Sequence, residues 1–374
     1  MLSAALLAAA AFTVRPAAAQ QSQRYTLSGS DVAVWNLVGS ITLGPGTGSS
    51  VVVTVARAGT DAGQLQVRHG ALDGHDALRV VFPARDIHYD ARDYTGQGRI
   101  TLNTTVRVND DGTFGENGGR RIRISTRGGD IEARADCQVL VPEGKAVTVH
   151  LAAGIVNAAN VNGQITTDVL LADVHGQQMR GPMRVRSTSG DVTLDGLRGP
   201  VDVQTASGDV TLGGAQDVVM IQTSSGDIGL RDAHATRATV QSASGDVRAA
   251  GLALGELAVS TSSGDVHLDS SRVNDLTVNS SSGDIDVALA PDVKAARLSA
   301  SSGDVTVRVP QGTGLAFDAT TGSGDVNVDS SRLGMQVLTH RDHRFVGRIG
   351  NGSARVETST ASGDVRIVPV RSGS

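Results

Sequence analysis

The sequence predicts an all-β protein folded as a parallel β-solenoid of about a dozen 18–21-residue coils, with irregular β coils at the N-terminus. Three observations lead to this fold class. A Ser-Gly-Asp motif returns at a nearly fixed interval, apolar residues alternate with polar ones on both sides of it, and turn-forming residues separate these runs. A fixed period of about 20 residues is the mark of a repeat architecture.

The motif is Ser-Gly-Asp followed by Val or Ile, and successive glycines are 18, 18, 19, 19, 19, 20, 21 and 39 residues apart. The glycine–aspartate pairs are Gly190 and Asp191, Gly208 and Asp209, Gly226 and Asp227, Gly245 and Asp246, Gly264 and Asp265, Gly283 and Asp284, Gly303 and Asp304, Gly324 and Asp325, and Gly363 and Asp364. The last interval is close to two periods, which predicts a copy without the motif near residue 344. Counting back by 18 predicts eroded copies at Ala172 and Gly154.

Each repeat carries two short alternating runs. In the second copy Val201, Val203 and Thr205 precede the motif, and Val210 and Leu212 follow it. The residues between them are mostly polar. Alternation with a period of two in β-branched residues is typical of a strand with one buried face, so each coil is predicted to hold two strands.

Two corners are predicted in each coil. The inward-facing set jumps by five residues across the motif, so the chain must bend there. Glycine reaches positive φ without steric cost, and Ser and Asp side chains bond nearby backbone groups. Glycine, proline and small polar residues mark the second corner, in the middle of the repeat, at 196–200, 213–214, 269–271 and 291–292.

Two arrangements are compatible with such repeats. Similar coils stack as a parallel solenoid that rises about 4.8 Å per layer and forms a rod about 55 Å long. Alternatively, hairpins close at each motif and build an antiparallel sheet. The similarity between coils favours like stacking on like, and therefore the solenoid.

Composition limits the function classes. The chain has 374 residues, 46 glycines and 2% aromatic residues, which suits a narrow solenoid better than the core of a globular enzyme. The net charge of −5 gives no electrostatic footprint for nucleic acid. Cys137 is the sole cysteine, which excludes an intrachain disulfide and is interpreted as a small buried apolar residue.

The predicted organisation has four parts: a signal peptide at 1–19, irregular β coils at 20–128 with a polar insert at 86–128, regular repeats at 129–370, and a tail at 371–374. The first part has a short apolar run and an Ala-x-Ala site, although no Lys or Arg precedes the run. No later segment is long and apolar enough to cross a membrane. The protein is therefore expected to be exported, to the periplasm, the cell surface or the medium.

Two stretches interrupt the pattern. The insert at 86–128 is interpreted either as a disordered or hairpin insertion or as a surface loop that carries binding. Near the missing copy, His340, Asp342 and His343 suggest either a metal site or a solvated loop, and the loop is favoured because no fourth ligand is spaced to complete a site. Trp35, in the N-terminal coils, is interpreted either as a cap on the open end of the stack or as a ligand platform, and the cap is favoured.

The repeated aspartates are the one candidate constellation. Stacked in register, their carboxylates would lie about 5 Å apart and would need compensation. Calcium could supply it, as in nonapeptide β-rolls, but here each Asp follows its Gly directly and occurs once per coil. The preferred interpretation is that each Asp caps its own turn by accepting backbone N–H bonds. No cofactor or metal is predicted.

A catalytic function is not favoured. Parallel β-helices host polysaccharide lyases and hydrolases, but those sites use a few unique residues, whereas the aspartates here are periodic. The sequence has no Gly-x-Ser-x-Gly elbow, no His-Glu-x-x-His motif and no phosphate loop. No catalytic residue is therefore predicted, and a polysaccharide-active enzyme is kept as the alternative.

The motif copies, the segment at 141–144, and the ending at 346–356 followed by 360–367 resemble a bacterial adhesin-like family of β-strand-repeat domains of unknown function. The resemblance covers roughly residues 25–370. It implies a β-solenoid in an exported, envelope-associated protein and offers no catalytic residues. We therefore expect a non-enzymatic binding or scaffolding surface at the bacterial cell envelope. Its expected partner is a glycan or another envelope protein, and a periplasmic sensor or accessory domain of a signalling system is a further alternative.

Overall fold

The computed structural model describes residues 21–89, 103–115, 118–269 and 271–370. Strands make up most of this part of the chain, and most of them stack in parallel. The predicted β-solenoid is thereby confirmed, and the hairpin alternative is wrong. The predicted signal peptide and tail lie outside the described residues, as do residues 90–102 and 116–117 of the predicted insert.

Each regular coil holds two strands that meet at the Ser-Gly-Asp corner. The first strands are β13 (Met183–Ser189), β15 (Val201–Ser207), β17 (Val219–Ser225), β19 (His234–Ser244), β21 (Ala253–Ser263), β23 (Arg272–Ser282), β25 (Ala295–Ser302), β27 (Leu315–Ser323) and β31 (Ala354–Ser362). The second strands are β14 (Val192–Asp195), β16 (Val210–Gly213), β18 (Ile228–Arg231), β20 (Val247–Ala250), β22 (Val266–Asp269), β24 (Ile285–Ala288), β26 (Val305–Val309), β28 (Val326–Val328) and β32 (Val365–Pro369). First strands pair with first strands and second with second, so the rod has a first face and a second face.

The strands stack because equivalent residues lie in register. Val203 of β15 stands between Val185 of β13 and Ile221 of β17, and all three are fully buried. At the position before the corner, inward Thr205 and Thr223 donate their hydroxyls to the carbonyls of Ser207 and Ser225 at 3.1 and 3.2 Å. These buried hydroxyls are therefore satisfied by carbonyl oxygens that also accept a backbone N–H from the glycine of the preceding coil.

The glycine of the motif is required by close stacking as well as by its φ. Gly208 has φ +124°, and a Cβ placed on it would lie 2.2 Å from the carbonyl oxygen of Gly190 in the preceding coil. The column continues back as predicted, since Gly154 pairs with Ala172 and a Cβ on Gly190 would meet the carbonyl of Ala172. It also reaches Gly39, which pairs with Gly154 and which the repeat spacing did not reveal.

The N-terminal end consists of longer strands followed by antiparallel ones. The strands are β1 (Gln21–Leu27), β2 (Asp31–Pro45), β3 (Val51–Ala58), β4 (Gln66–Leu72), β5 (His75–Val81), β10 (Arg134–Val141), β11 (Ala146–Ala159) and β12 (Gln164–Gln177). β2, β11 and β12 run through the corner unbroken and stack in parallel. The first face ends at β4, which pairs antiparallel with β5, and the second face ends at β1, which pairs antiparallel with β3. These strands, and not Trp35, close the N-terminal end of the stack.

The predicted insert is largely folded where the structure describes it. The four strands β6 (Asp86–His88), β7 (Asn103–Val108), β8 (Arg120–Ser125) and β9 (Ile131–Glu132) form a separate small sheet in the order β7-β8-β6-β9. Strands β7 and β8 are antiparallel. Val106, Ile122 and Ile124 of this sheet are buried and join the main hydrophobic core.

At the C-terminal end the spatial order of the coils differs from their order in the chain. The last coil, β31–β32, lies between β25–β26 and β27–β28. The segment between β28 and β31 forms a short helix α1 (Ser330–Leu333) and a hairpin of β29 (Gln336–Arg341) and β30 (Arg344–Ile349). The expected eroded coil near residue 344 is therefore wrong. β30 pairs antiparallel with β27 and covers the edge that the stack would otherwise expose.

The described residues include no helix long and apolar enough to cross a bilayer. Besides α1, their helical structure includes a short 3-10 segment, Ala62–Gln64. Cys137 of β10 is buried, as predicted, and burial raises the pKa of its thiol to about 12.

Candidate functional site

The outward positions of the first face differ from coil to coil, unlike the inward ones. One row of these positions, four residues before the corner, runs across neighbouring strands in register. We call it the polar row, and it consists of Trp35, His150, Asp168, Arg186, Gln204, Gln222 and Gln241. Beyond Gln241 the same row continues with smaller side chains, beginning with Ser260 and Asn279.

The middle of the polar row borders a shallow groove of about 560 Å³. The next outward row, two residues before the corner, lines the groove with small residues: Ala206, Ser224, Ala243 and Ser262. Two of the glutamine amides are linked along the rod, because Gln222 Nε2 donates to Gln241 Oε1 at 3.0 Å, whereas Gln204 Nε2 donates to Asp202 Oδ1 at 3.2 Å. A row of amides offers both donors and acceptors, and the small neighbours leave the rest of the surface open.

A deeper cleft of about 610 Å³ lies at the N-terminal end of this groove. Its base is the first face at His150, Asp168 and Arg186, and its walls are Leu72 and Asp73 from the β4–β5 hairpin together with residues 109–115 after β7. The cleft and the groove share Arg186 and Ser187, so they form one continuous surface.

Aromatic rings back the cleft. Trp35 and His150 are cross-strand neighbours whose rings stack with centroids 4.3 Å apart and planes 8° apart. Phe114 meets the His150 ring edge-on at 6.5 Å. Trp35 is 7% exposed and lies inside the sheet between β5 and β11, so its prediction as an end cap is wrong. Its strand is covered on its outer side by the folded insert, which the sequence pattern did not reveal.

The charges of the cleft are perturbed by burial. Burial, with a contribution from His75, lowers the pKa of His150 to about 4, so the imidazole is neutral at pH 7. Burial also raises the pKa of Asp168, against the opposing effect of Arg186 and Arg184. Asp168 Oδ2 lies 3.5 Å from His150 Nδ1, and its Oδ1 lies 3.9 Å from Arg186 Nη1. Oδ1 is buried and accepts no hydrogen bond from the described residues.

The wall after β7 is held in place by Asp111. Its carboxylate accepts from the Thr113 N–H at 3.0 Å and from Thr113 Oγ1 at 2.8 Å, and it pairs with Arg79 at 3.1 Å. Burial raises the pKa of Asp111, but these bonds outweigh it and the net pKa is lowered. The ionised Asp111, through its hydrogen bonds to Thr113 and its ion pair with Arg79, therefore holds the segment that carries Phe114.

The repeated aspartates come together in a single column along the Ser-Gly-Asp corner. The Oδ1 of each accepts the backbone N–H of the aspartate in the adjoining coil. The bonds run from Asp173 through Asp191, Asp209, Asp227, Asp246, Asp265, Asp284 and Asp304 to Asp364 and then Asp325, with N···O distances of 2.8 to 3.0 Å. The expectation that each Asp caps its own turn is therefore corrected: each one caps the adjoining turn, because stacking points that N–H at it.

Arginines offset part of the charge in this column. Arg248 contacts Asp227 at 3.2 Å and Asp246 at 2.7 Å, while Arg366 contacts Asp304 and Asp364. Within the described part of the chain, no group of three or more His, Cys, Asp or Glu side chains is placed to hold a metal.

The segment proposed as an alternative metal site is the tip of the β29–β30 hairpin. His340 packs edge-on against Phe345 with centroids 5.7 Å apart, and His343 Nδ1 lies 3.1 Å from the carbonyl oxygen of Gly324. Asp342 and both histidines are exposed. The structure therefore places the three residues on a solvated hairpin turn.

Comparisons with known proteins agree with this architecture. The family model described as Toastrack DUF4097 matches residues 120–228 and 201–368. No curated protein matches the chain.

Two solved structures are similar over most of their length. One, titled a "putative cell adhesion protein" from Clostridium sporogenes, is 9% identical, covers 94% of this chain and 100% of its own, and has a TM-score of 0.19. The other, titled a "putative adhesin" from Bacteroides fragilis, is 11% identical, covers 95% and 99%, and has a TM-score of 0.30. The family model covers more than half of the sequence. The chain belongs to the Toastrack DUF4097 family.

Proposed function

We propose that this protein is an exported, non-enzymatic β-solenoid that binds a linear, uncharged glycan along the groove of its first face at the cell envelope. The observation that carries the proposal is the run of Gln204, Gln222 and Gln241 at one amide per coil beside small residues. The export signal in the sequence and the adhesin-like resemblance support the envelope location.

The chemistry of the groove suits hydroxyl-rich chains. Each sugar hydroxyl both donates and accepts a hydrogen bond, and so does a glutamine amide. The amides of Gln204, Gln222 and Gln241 repeat with the rise of the stack, about 4.8 Å, so an extended polymer meets the same group in three successive layers. None of the described residues lining the groove is acidic, and Arg186 at its head is the single basic one, which favours an uncharged ligand.

Rigidity adds to this fit. The backbone of the groove lies on strands that pair on both sides, so little backbone entropy is lost when a ligand binds. Each amide contact is weak alone, and several in a row give useful affinity only if the ligand is long. The proposal therefore predicts stronger retention of polymers than of short oligosaccharides in the groove.

One observation favours a second candidate, a polysaccharide-active enzyme. In the cleft a carboxyl group with a raised pKa lies next to a neutral imidazole, and perturbed pairs of this kind are common at catalytic sites. Geometry favours binding instead, because the 3.5 Å between His150 Nδ1 and Asp168 Oδ2 leaves the pair poorly engaged.

The test is affinity electrophoresis against a panel of soluble neutral polysaccharides, with analysis of reducing ends after incubation. We expect retention without new ends. Gln222→Ala should weaken retention several-fold, whereas Thr211→Ala, on the second face of the neighbouring coil, should leave it unchanged. Cleavage products would favour the enzyme, and equal retention by both variants would contradict the groove.

The envelope location needs a separate measurement. Protease treatment of intact cells, combined with fractionation, should find the rod either accessible from outside or protected until the outer barrier is broken, and in both cases outside the cytoplasm. Recovery in the cytoplasmic fraction would contradict the proposal. Co-purification with a membrane signalling protein would favour the sensor or accessory alternative.

A further inference from the structure

We propose that the cleft bounded by Phe114, His150, Asp168 and Arg186 is a subsite for the terminal sugar residue of the glycan, held through two neighbouring hydroxyl groups by Asp168 and Arg186. The inference rests on the proposed function, which it deepens by giving the groove a specific end. It follows from one unpaired acceptor, one adjacent donor and the shape of the walls.

The unpaired acceptor is Asp168 Oδ1. It is buried, and no hydrogen bond from the described residues reaches it. A buried acceptor without a donor destabilises the protein, and it does so more strongly when it is charged. Because this oxygen has almost no accessible surface in the free protein, a ligand hydroxyl reaches it only if the exposed Arg186 side chain shifts; the hydroxyl then donates to the oxygen and removes that destabilisation. Such an acceptor therefore favours a ligand with a hydroxyl or another uncharged donor.

The adjacent donor is Arg186, the next member of the polar row. Its Nη1 lies 3.9 Å from Asp168 Oδ1, which is an ion-pair distance and too long for a hydrogen bond. Its side chain is 53% exposed, so its remaining N–H groups are accessible from the cleft. Two hydroxyls on neighbouring ring carbons match this pair, since one donates to the carboxylate and the other accepts from the guanidinium.

Charge excludes the other common ligands. Asp73, Asp111 and Asp168 all line the cleft, against Arg186 as the single basic residue among the described lining residues. Arg79 compensates the charge of Asp111 at 3.1 Å, but a phosphate or carboxylate group would still meet the carboxylates of Asp73 and Asp168 there and would be repelled. An uncharged ring with hydroxyls satisfies both Asp168 and Arg186 without that penalty.

The apolar part of the cleft suits the other side of a sugar ring. Phe114 and the half-buried Leu72 and Leu170 contribute apolar surface, and the Trp35–His150 stack supports Phe114 from below. The walls lie at the N-terminal end of the groove. There the lining includes residues from the β4–β5 hairpin and the insert, whereas the described lining of the rest of the groove includes neither. A chain lying in the groove would therefore present its terminal residue to the cleft.

The sole tryptophan provides a direct probe, because Trp35 lines the cleft. Its fluorescence would be titrated with three neutral hexasaccharides: β-1,4-linked glucose, α-1,4-linked glucose and β-1,4-linked N-acetylglucosamine. We expect at least one to change the emission saturably. Absence of any change with all three would overturn the proposal.

Two arginines on one strand form a matched pair of variants. Arg184 and Arg186 both point outward from β13 and are 50% and 53% exposed, but Arg184 pairs with Asp202 at 3.0 Å and does not line the cleft. Arg186→Gln should weaken the binding measured by this titration about tenfold, whereas Arg184→Gln, which acts on Asp168 only through its charge, should weaken it far less. Asp168→Asn should weaken it at least as much, with thermal melting as the check on folding. Equal affinity in Arg186→Gln and Arg184→Gln would refute the subsite.

The failures of the two proposals are distinguishable. Polymer retention that survives Arg186→Gln, with no response from Trp35, would refute the subsite and leave the groove. A Trp35 response combined with polymer retention that is insensitive to Gln222→Ala would refute the groove and support a cleft that binds short saccharides. Absence of both signals would refute both.

Discussion

The strongest structural prediction concerns the glycine column. In Gly226→Ala, the new Cβ would lie 2.2 Å from the carbonyl oxygen and 2.7 Å from the carbonyl carbon of Gly208. Both atoms are backbone, and the backbone of each coil is held by hydrogen bonds to the coils on either side. The Gly208 N–H donates to the Ser225 carbonyl at 3.2 Å, and the Gly226 N–H donates to the Ser244 carbonyl at 3.1 Å. Neither partner can move away without disturbing these bonds.

The expected magnitude has two parts. Gly226 has φ +133°, a conformation that costs a residue with a side chain about 1–3 kcal/mol. Forcing a methyl group into a packed site costs about 1–3 kcal/mol more. Together they predict a loss of about 2–6 kcal/mol in the free energy of unfolding. Because each coil contacts only its neighbours, the loss should be concentrated in the coils next to the substitution.

Gly229, three residues later on β18, is the matched control. It does not have positive φ, and the nearest atom to a new Cβ would be Thr211 Oγ1 at 3.8 Å, an ordinary contact. Gly229→Ala should therefore stabilise the strand by roughly 0.5–1 kcal/mol. Native-state amide exchange is the suitable assay, since a long repeat stack need not unfold in one step. Equal protection in the two variants would refute the close-stacking argument.

Three further predictions concern charged groups. Asp209→Ala should lower the stability in urea by about 1–2 kcal/mol because the Asp227 N–H loses its acceptor, whereas Asp209→Asn keeps an acceptor oxygen; equal losses would contradict this. The melting temperature should not respond to millimolar calcium or to a chelator. A shift of one degree already reflects a fraction of a kcal/mol, so a calcium-dependent rise of about ten degrees would refute the prediction. Because burial lowers the pKa of His150 from 6.5 to about 4, the unfolded chain binds its proton more readily: stability should be full above pH 6.5 and fall by about 3 kcal/mol as the pH drops towards 4. His150→Gln should remove that part of the pH dependence in urea unfolding, and an unchanged dependence would contradict it.

The regular part of the fold follows from the sequence because its cause is local and repeated. Inward Val203 and Ile221 lie at the same offset from the motif, and stacking puts them in contact. The corner glycine was also predicted, but only for its φ. The close approach of the Gly190 carbonyl depends on the neighbouring coil, 18 residues away, and no local pattern reports it.

The exchange of coils at the C-terminal end was not predictable from the repeats. Val305 pairs with Val365, and Val365 pairs with Val326 as well, so either neighbour suits the inward positions. When all coils present nearly the same surface, sequence similarity cannot give the order in which they stack. What decides it is the hairpin β29–β30, which pairs antiparallel with β27 and so makes that coil the outer one.

The cleft was missed for a different reason. Its residues come from four separate stretches, around 35, 72–73, 109–115 and 150–188, and none of them forms a motif by itself. One signal was present in the sequence. At the outward position four residues before the corner, Gln204 and Gln222 give way to Arg186, and counting back by 18 gives Asp168 and His150. This break in the outward row is a difference between coils that the inward pattern does not show.

That break gives the rod a direction. The backbone and the inward residues repeat with little change, so packing alone would make every layer of the first face equivalent. The polar row removes the equivalence, because it passes from a stacked Trp35 and His150 through the charged pair Asp168 and Arg186 to uncharged amides. A ligand that needs only repeated weak contacts can lie on the amides in either direction, whereas one that also fills the cleft can lie in only one. The folded insert supplies the wall that turns a uniform surface into one with an end, and this is the physical reason to look for specificity at the head of the groove.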